Sequence, residues 1–174
     1  MMIDHFRRLA HYNSWANSRL YAAALALTDE AYRRPMGVFF ESLHGTLNHL
    51  LVADRIWLKR LTGQGEHLNQ LNAVLYEDRV ALARARIAED ARLVAVVGAC
   101  DERTLVGRIA YSTTTGAHQE NSLSDILAHM FNHQTHHRGQ AHACLSILTG
   151  AEPPALDLLA MERGEPAADL TELI

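Results

Sequence analysis

Residues 129–142 read HMFNHQTHHRGQAH, which places five histidines within fourteen residues. Neutral imidazole is the commonest protein ligand for a transition-metal ion, so histidines at helical spacing are a candidate metal site. At about 100° per residue with His133 at zero, His129 falls at about −40°, His137 at about +40° and His136 at about −60°. Ile126, Met130, Cys144 and Leu148 fall between about +20° and +60°, so His133 and His137 share the apolar stripe of this helix. His142 lies on the far side and His136 at the edge. Two histidines at i and i+4 can direct their nitrogens at one ion, as in the metalloprotease helix motif, whose glutamate is missing here. A third ligand must come from another helix.

The segment Leu47-Asn48-His49-Leu50-Leu51 supplies one. His49 shares an arc with Val52, Ala53 and Ile56, opposite a narrow polar sector formed by His44, Asn48, Arg55, Lys59 and Thr62. An imidazole among apolar neighbours needs a polar partner, because burying it alone is costly. A hydrogen-bonded core histidine is the plain reading of any one of these residues, and a shared ion is the reading of His49, His133 and His137 together. His129 is open between a fourth ligand, a hydrogen-bond partner of a ligand and a surface residue. Asp54 breaks the apolar arc, either as a general base or support for a ligand, or as the ion-pair partner of a buried arginine such as Arg138. Asn13 and Asn17 sit by the apolar stripe of the first helix, lining a pocket, touching a ligand histidine or bridging helices. Gly139 in mid-helix points to a close helix crossing or ligand approach. A di-iron carboxylate site is excluded by count, since it needs two Glu-x-x-His motifs and only Glu41-Ser-Leu-His44 is present.

Long amphipathic patterns must hold these residues. Apolar positions recur at three and four from Ile3 to Leu27, from about Glu41 to Leu61 and from Ser122 to Leu148, and Glu77 to Ala99 is rich in strong helix formers. Thr28-Asp29-Glu30 reads as a polar stop and Pro35-Met36-Gly37 as a break. Ser122 with Asp125 resembles a capping box, and Gly150 with Pro153-Pro154 ends the last helix. Residues 104–116 are expected to form a short hairpin within a long crossover connection, and a short C-terminal helix near Leu156 to Arg163 to pack on the outside. The fold class is therefore all-α: a single domain over 1–174 built as a four-helix bundle, an architecture that places metal sites between facing helices.

Composition narrows the partners. The 174 residues carry 16 Lys+Arg and 20 Asp+Glu, a net charge of −4 with histidine neutral. The cations are scattered, which speaks against nucleic acid. No apolar run approaches the ~18 residues of a membrane span, and the start lacks a signal peptide's apolar segment, so a cytoplasmic location is expected. Cys100 and Cys144 make no disulfide framework.

Three stretches also carry a family resemblance: Tyr12-Asn13-Ser14-Trp15-Ala16-Asn17, Thr46 to Trp57, and Asn132-His133-Gln134-Thr135-His136-His137-Arg138-Gly139-Gln140. Together they resemble the DinB-like (damage-inducible, YfiT-type) metal-binding family over about Ile3 to Leu148. The resemblance implies a helical bundle with one divalent ion, zinc or nickel, held by His49, His133 and His137 with positions left open for water or substrate. Some relatives are thiol-dependent transferases or isomerases, so it also implies a small-molecule substrate, a low-molecular-weight thiol among the candidates, and a homodimer. Ligand count favours an enzyme, a hydrolase or thiol S-transferase, over a non-catalytic metal-binding stress-response protein. A bundle with no metal, its histidines forming a pH-sensitive patch, is the third reading.

Overall fold

Side-chain caps start three of the four long helices. The computed structural model describes residues 1–174. Helix α1 spans Met2–Leu25, and a short α2 spans Asp29–Arg33. Helix α3 spans Leu43–Thr62, with the Ser42 hydroxyl accepting from Gly45 N–H and Gly63 closing it in the left-handed conformation at φ 72°. Helix α4 spans Arg79–Gly98 behind an Asp78 cap, and the single turn α5 spans Glu102–Leu105. Strands β1 (Arg108–Ser112) and β2 (His118–Ser122) pair antiparallel, Arg108 opposite Ser122 and Ser112 opposite His118. Helix α6 spans Leu123–Thr149, capped by Ser122 and ended by Gly150 at φ 64°. The short α7 spans Leu158–Glu162, ahead of a 3-10 turn at Leu170–Glu172.

Three expectations shift. The polar stop at Thr28 is itself a helix start, because the Thr28 hydroxyl accepts from Ala31 N–H and two acids occupy the first turn of α2. The hairpin lies later than 104–116: Asp101 forms a capping box with Thr104, which makes the first of those residues helical, and Thr113 to Ala117 form the turn. The C-terminal helix is more than an outer ornament, since Ala160 is buried against Trp15 and Ala16.

The four long helices form the bundle. α1 packs on α4 and α6, and α3 packs on the same two, so α1 and α3 are diagonal and the connections 26–42 and 99–122 each cross the bundle. Cross-helix contacts give the directions. Arg7 reaches Cys100 and Asn13 reaches Asp90, so α1 and α4 are antiparallel. Phe6 stacks on Phe131 and Asn13 meets Arg138, so α1 and α6 are parallel.

The core is divided. One apolar cluster holds Leu20, Tyr21, Leu43, Leu47, Leu82, Cys144 and Leu145. Another, at the opposite end, holds Phe6, Leu58, Leu93, Leu127 and Phe131. Between them lies a buried polar layer. Arg86, completely buried, meets two carboxylates as ion pairs: Nη1 is 2.8 Å from Asp54 Oδ2 and Nη2 is 2.9 Å from Asp90 Oδ1. Asn13 and Asn17 donate to Asp90, and Arg138 donates to both asparagine carbonyls and to Gln134 Oε1. Burial disfavours the Arg86 charge, yet Asp90 and Asp54 outweigh it and hold the guanidinium above its ordinary pKa. Two arginines thus face two aspartates, and the layer is neutral as a unit.

Removing one member leaves a buried charge unmatched, which costs about 3–5 kcal/mol. Asp90→Ala is therefore expected to lose about that much stability in urea unfolding; a loss below about 1 kcal/mol, the ordinary surface-pair value, would contradict the layer's structural role.

Candidate metal centre

The polar layer sets the level at which α3 and α6 exchange their histidines. Gln134, next to His133, is fully buried and donates from Nε2 to the Leu50 carbonyl, next to His49, at 3.3 Å. The two helices run antiparallel here, and their side chains converge on one face. The donor nitrogens of His49, His133 and His137 all lie within 4.8 Å of one another. His49 Nε2 is 3.1 Å from His133 Nε2, and the three ring centroids are 4.4 to 5.0 Å apart. Imidazole nitrogens sharing a tetrahedral ion at about 2.0–2.1 Å stand about 3.4 Å apart, so the donor set fits one divalent cation with little side-chain movement. His49 is buried while His133 and His137 are half-buried, so the group is closed on the bundle side and open on the other.

Hydrogen bonds orient the rings. The Leu71 carbonyl lies 2.7 Å from His49 Nδ1. A carbonyl only accepts, so His49 carries its proton on Nδ1 and presents the Nε2 lone pair to the group. Gln140 Oε1 accepts from His137 Nδ1 at 2.8 Å, freeing its Nε2 in the same way, while the Gln140 amide contacts His136 Nε2 at 3.2 Å. Fixing the far nitrogen is how proteins set the tautomer and angle of ligand histidines.

Leu71 sits in an irregular stretch, and Asn48 anchors it. Asn48 Oδ1 accepts from Leu75 N–H at 2.9 Å and Tyr76 N–H at 3.1 Å, while Nδ2 donates to the Tyr76 carbonyl. The first half of the polar sector of α3 is thus turned inward: Asn48 is 1% exposed, and His44 is buried with its ring edge-on to Tyr32. Phe40 covers the other side of His49, its ring stacked at 3.7 Å and 16°. That contact requires Gly45, since a Cβ there would stand 2.0 Å from the Phe40 carbonyl oxygen. Leu71, Gln140, Phe40 and Gly45 were not visible as site residues in the sequence. A glycine in the first turn of α3 behind the Phe39-Phe40 pair was the one local signal.

The other histidines stand apart. His129 packs edge-on to Trp57 at 5.3 Å, its ring centroid 5.9 Å from that of His133, and it is outside the three-donor group. His142 Nε2 contacts the Pro154 carbonyl on the far side of α6. Asp54 pairs with Arg86 rather than Arg138, within the polar layer. Asn13 and Asn17 bridge α1, α4 and α6 instead of touching a histidine. No helix crosses closely at Gly139, where a Cβ would meet nothing within 4 Å. Cys144 is a small core residue.

Burial holds the three imidazoles neutral. His49 is lowered to about 4, mainly by burial and secondarily by His137, with the Leu71 bond opposing. His133 is lowered to about 3, first by burial and then by His137 and His49. His137 is lowered by burial, with Gln140 opposing. Neutral imidazole is the form that binds metal.

Comparison with known proteins identifies the family. A family model described as the DinB family matches residues 2–171. Protein DinB of Bacillus subtilis (strain 168) is 23% identical over 161 residues, covering 88% of this chain and 91% of its own. The crystal structure of a DinB-like protein from Bacillus cereus ATCC 10987 superposes with a TM-score of 0.61 at 19% identity, covering 81% of this chain and 90% of that one. The last likeness establishes a shared fold. No helix is long and apolar enough to cross a membrane.

Unfolded histidine titrates near about 6.5, whereas folded His49 and His133 take up protons only near about 4 and about 3. Between those values the unfolded chain binds more protons, so stability is fully present above about pH 6.5 and falls as pH drops through the window. Urea unfolding of metal-free protein is expected to show this decline, and His133→Phe to flatten it; an equal slope in both proteins would contradict the assignment.

Proposed function

The chain belongs to the DinB family, and on that footing we propose that it is a metal-dependent enzyme holding one zinc or nickel ion on His49, His133 and His137. The observation that carries this reading is the donor set itself: three neutral imidazoles within 4.8 Å, two of them aimed by acceptors on their far nitrogens, with one side open. Three protein ligands with a free position is the arrangement of catalytic rather than structural sites. A bound ion there would lower the pKa of a water or thiol and make it a nucleophile at neutral pH.

The chain's own residues do the positioning. Leu71, held by Asn48, fixes the His49 ring from behind, and Gln140 fixes His137. Phe40 shields one face of His49 from water. Asp54 serves the fold by pairing with Arg86. The substrate is a small molecule, the reaction a hydrolysis or a thiol transfer, and the working unit a homodimer.

Elemental analysis of untagged protein tests the site. About one ion per chain is expected in the wild type, lost in His49→Ala and His133→Ala and kept in His142→Ala. Loss in all three, or a wild type that stays metal-free after incubation with zinc and nickel, would overturn the site. The enzyme reading falls separately if nickel-loaded protein shows no relaxation of solvent protons, because a closed coordination sphere has no place for a nucleophile. Asn48→Ala should weaken metal binding about 10-fold to 100-fold in a competitive chelator titration, by releasing the Leu71 segment. Unchanged affinity would mean that His49 needs no such support.

A further inference from the structure

A cavity of about 510 Å³ lies between the C-terminal half of α3, residues 66–69 and the β-hairpin, and its lining includes none of the three ligand histidines. Two cations line it without an acidic partner. Arg60, half-buried, lies over the Trp57 ring at 4.5 Å and the Tyr111 ring at 4.9 Å and donates one hydrogen bond to the Ser112 carbonyl. No carboxylate pairs with it. Lys59, next to it, donates to the Gly63 carbonyl and also lacks an acidic partner. The one acid of the lining, Glu66, is largely exposed and faces Arg55 instead, at 4.0 Å. Nine of the other fourteen arginines meet a carboxylate within 4.0 Å, among them Arg33, Arg55, Arg86, Arg92 and Arg108. Ser112, Thr113 and Thr114 add hydroxyl donors around the two charges, and Ile56, Leu68 and Ala110 give the wall an apolar part.

Two consecutive cations without an acidic partner, one lying against the touching rings of Trp57 and Tyr111, with hydroxyls and apolar surface around them, make a site for an organic oxyanion. We propose that this cavity binds the carboxylate or phosphate group of a small organic molecule through Arg60 and Lys59. Trp57 links the cavity to the metal centre: Arg60 lies on its ring, His129 packs edge-on to it, and His129 neighbours His133. On the metal-enzyme reading above, the anion is one end of the substrate and the cavity anchors it while the reacting end reaches the histidines. The hairpin, which supplies Tyr111 and the hydroxyls, thereby acquires a function beyond joining α5 to α6.

The test uses the metal-free protein, so that failure of the metal site and failure of this site are separate results. Inorganic phosphate and glutarate are titrated in turn, with chloride at matched ionic strength as baseline, while the indole N–H signal of Trp57 is followed by NMR. Trp15, whose indole N–H is bonded to the Glu165 carbonyl, is the internal reference. A saturable shift of Trp57 with one or both anions is expected, phosphate or glutarate alone identifying the group preferred. Arg60→Gln should weaken it about 10-fold or more, the value of a hydrogen bond to a charged group, Arg60→Lys less, and His49→Ala not at all. No saturation by either anion, or equal affinity in Arg60→Gln and wild type, overturns the proposal.

Discussion

The structure depends on the ion pairing of Arg86 with Asp54 and Asp90 in the middle of the bundle. A guanidinium this deeply buried is tolerated only with counter-charges beside it, and here the other helices complete a polar network around the two carboxylates. α3 brings Asp54, α4 brings Asp90 and Arg86 itself, α1 brings Asn13 and Asn17, and α6 closes the layer with Arg138 and Gln134. Apolar side chains above and below could slide past one another at small cost, but these groups match in one register alone. The layer therefore decides how far along each other the four helices stand.

That register is what brings three separate histidines together as a candidate metal centre. Gln134 belongs to the layer through Arg138 and to the site through its bond to the Leu50 carbonyl, so the level of His133 against His49 follows from the same network. The remaining freedom, ring rotation, is removed locally. Leu71 and Gln140 take the outward nitrogens, and Phe40 stacks on His49 because Gly45 lets its backbone approach. Burial then keeps the imidazoles unprotonated, so the inward lone pairs are available at neutral pH.

The long helices and the trio of histidines were legible in the sequence because both obey the 3.6-residue period. His133 and His137 sit four apart on an apolar stripe, and His49 stands out among Val52, Ala53 and Ile56, so local spacing suffices. What was hidden depends on contacts between distant segments. The inward turn of His44 and Asn48 depends on residues 75 and 76 folding back over α3. The partner of Asp54 could not be chosen between Arg86 and Arg138 without the helix order, since either arginine lies on a buried helix face. The hairpin was displaced because the capping box at Asp101 competes with β propensity and wins the first residues. A backbone carbonyl such as that of Leu71 leaves no mark in residue type at all.

On this geometry three imidazoles, with no carboxylate or thiolate, would hold one divalent ion. X-ray absorption at the metal edge of the untagged, zinc- or nickel-loaded protein tests it most directly. The expected spectrum shows about three imidazole nitrogens at about 2.0–2.1 Å, with outer-ring scattering, plus at least one further light atom from solvent. A sulfur neighbour at about 2.3 Å, or an imidazole count that stays the same in His137→Ala, would contradict it.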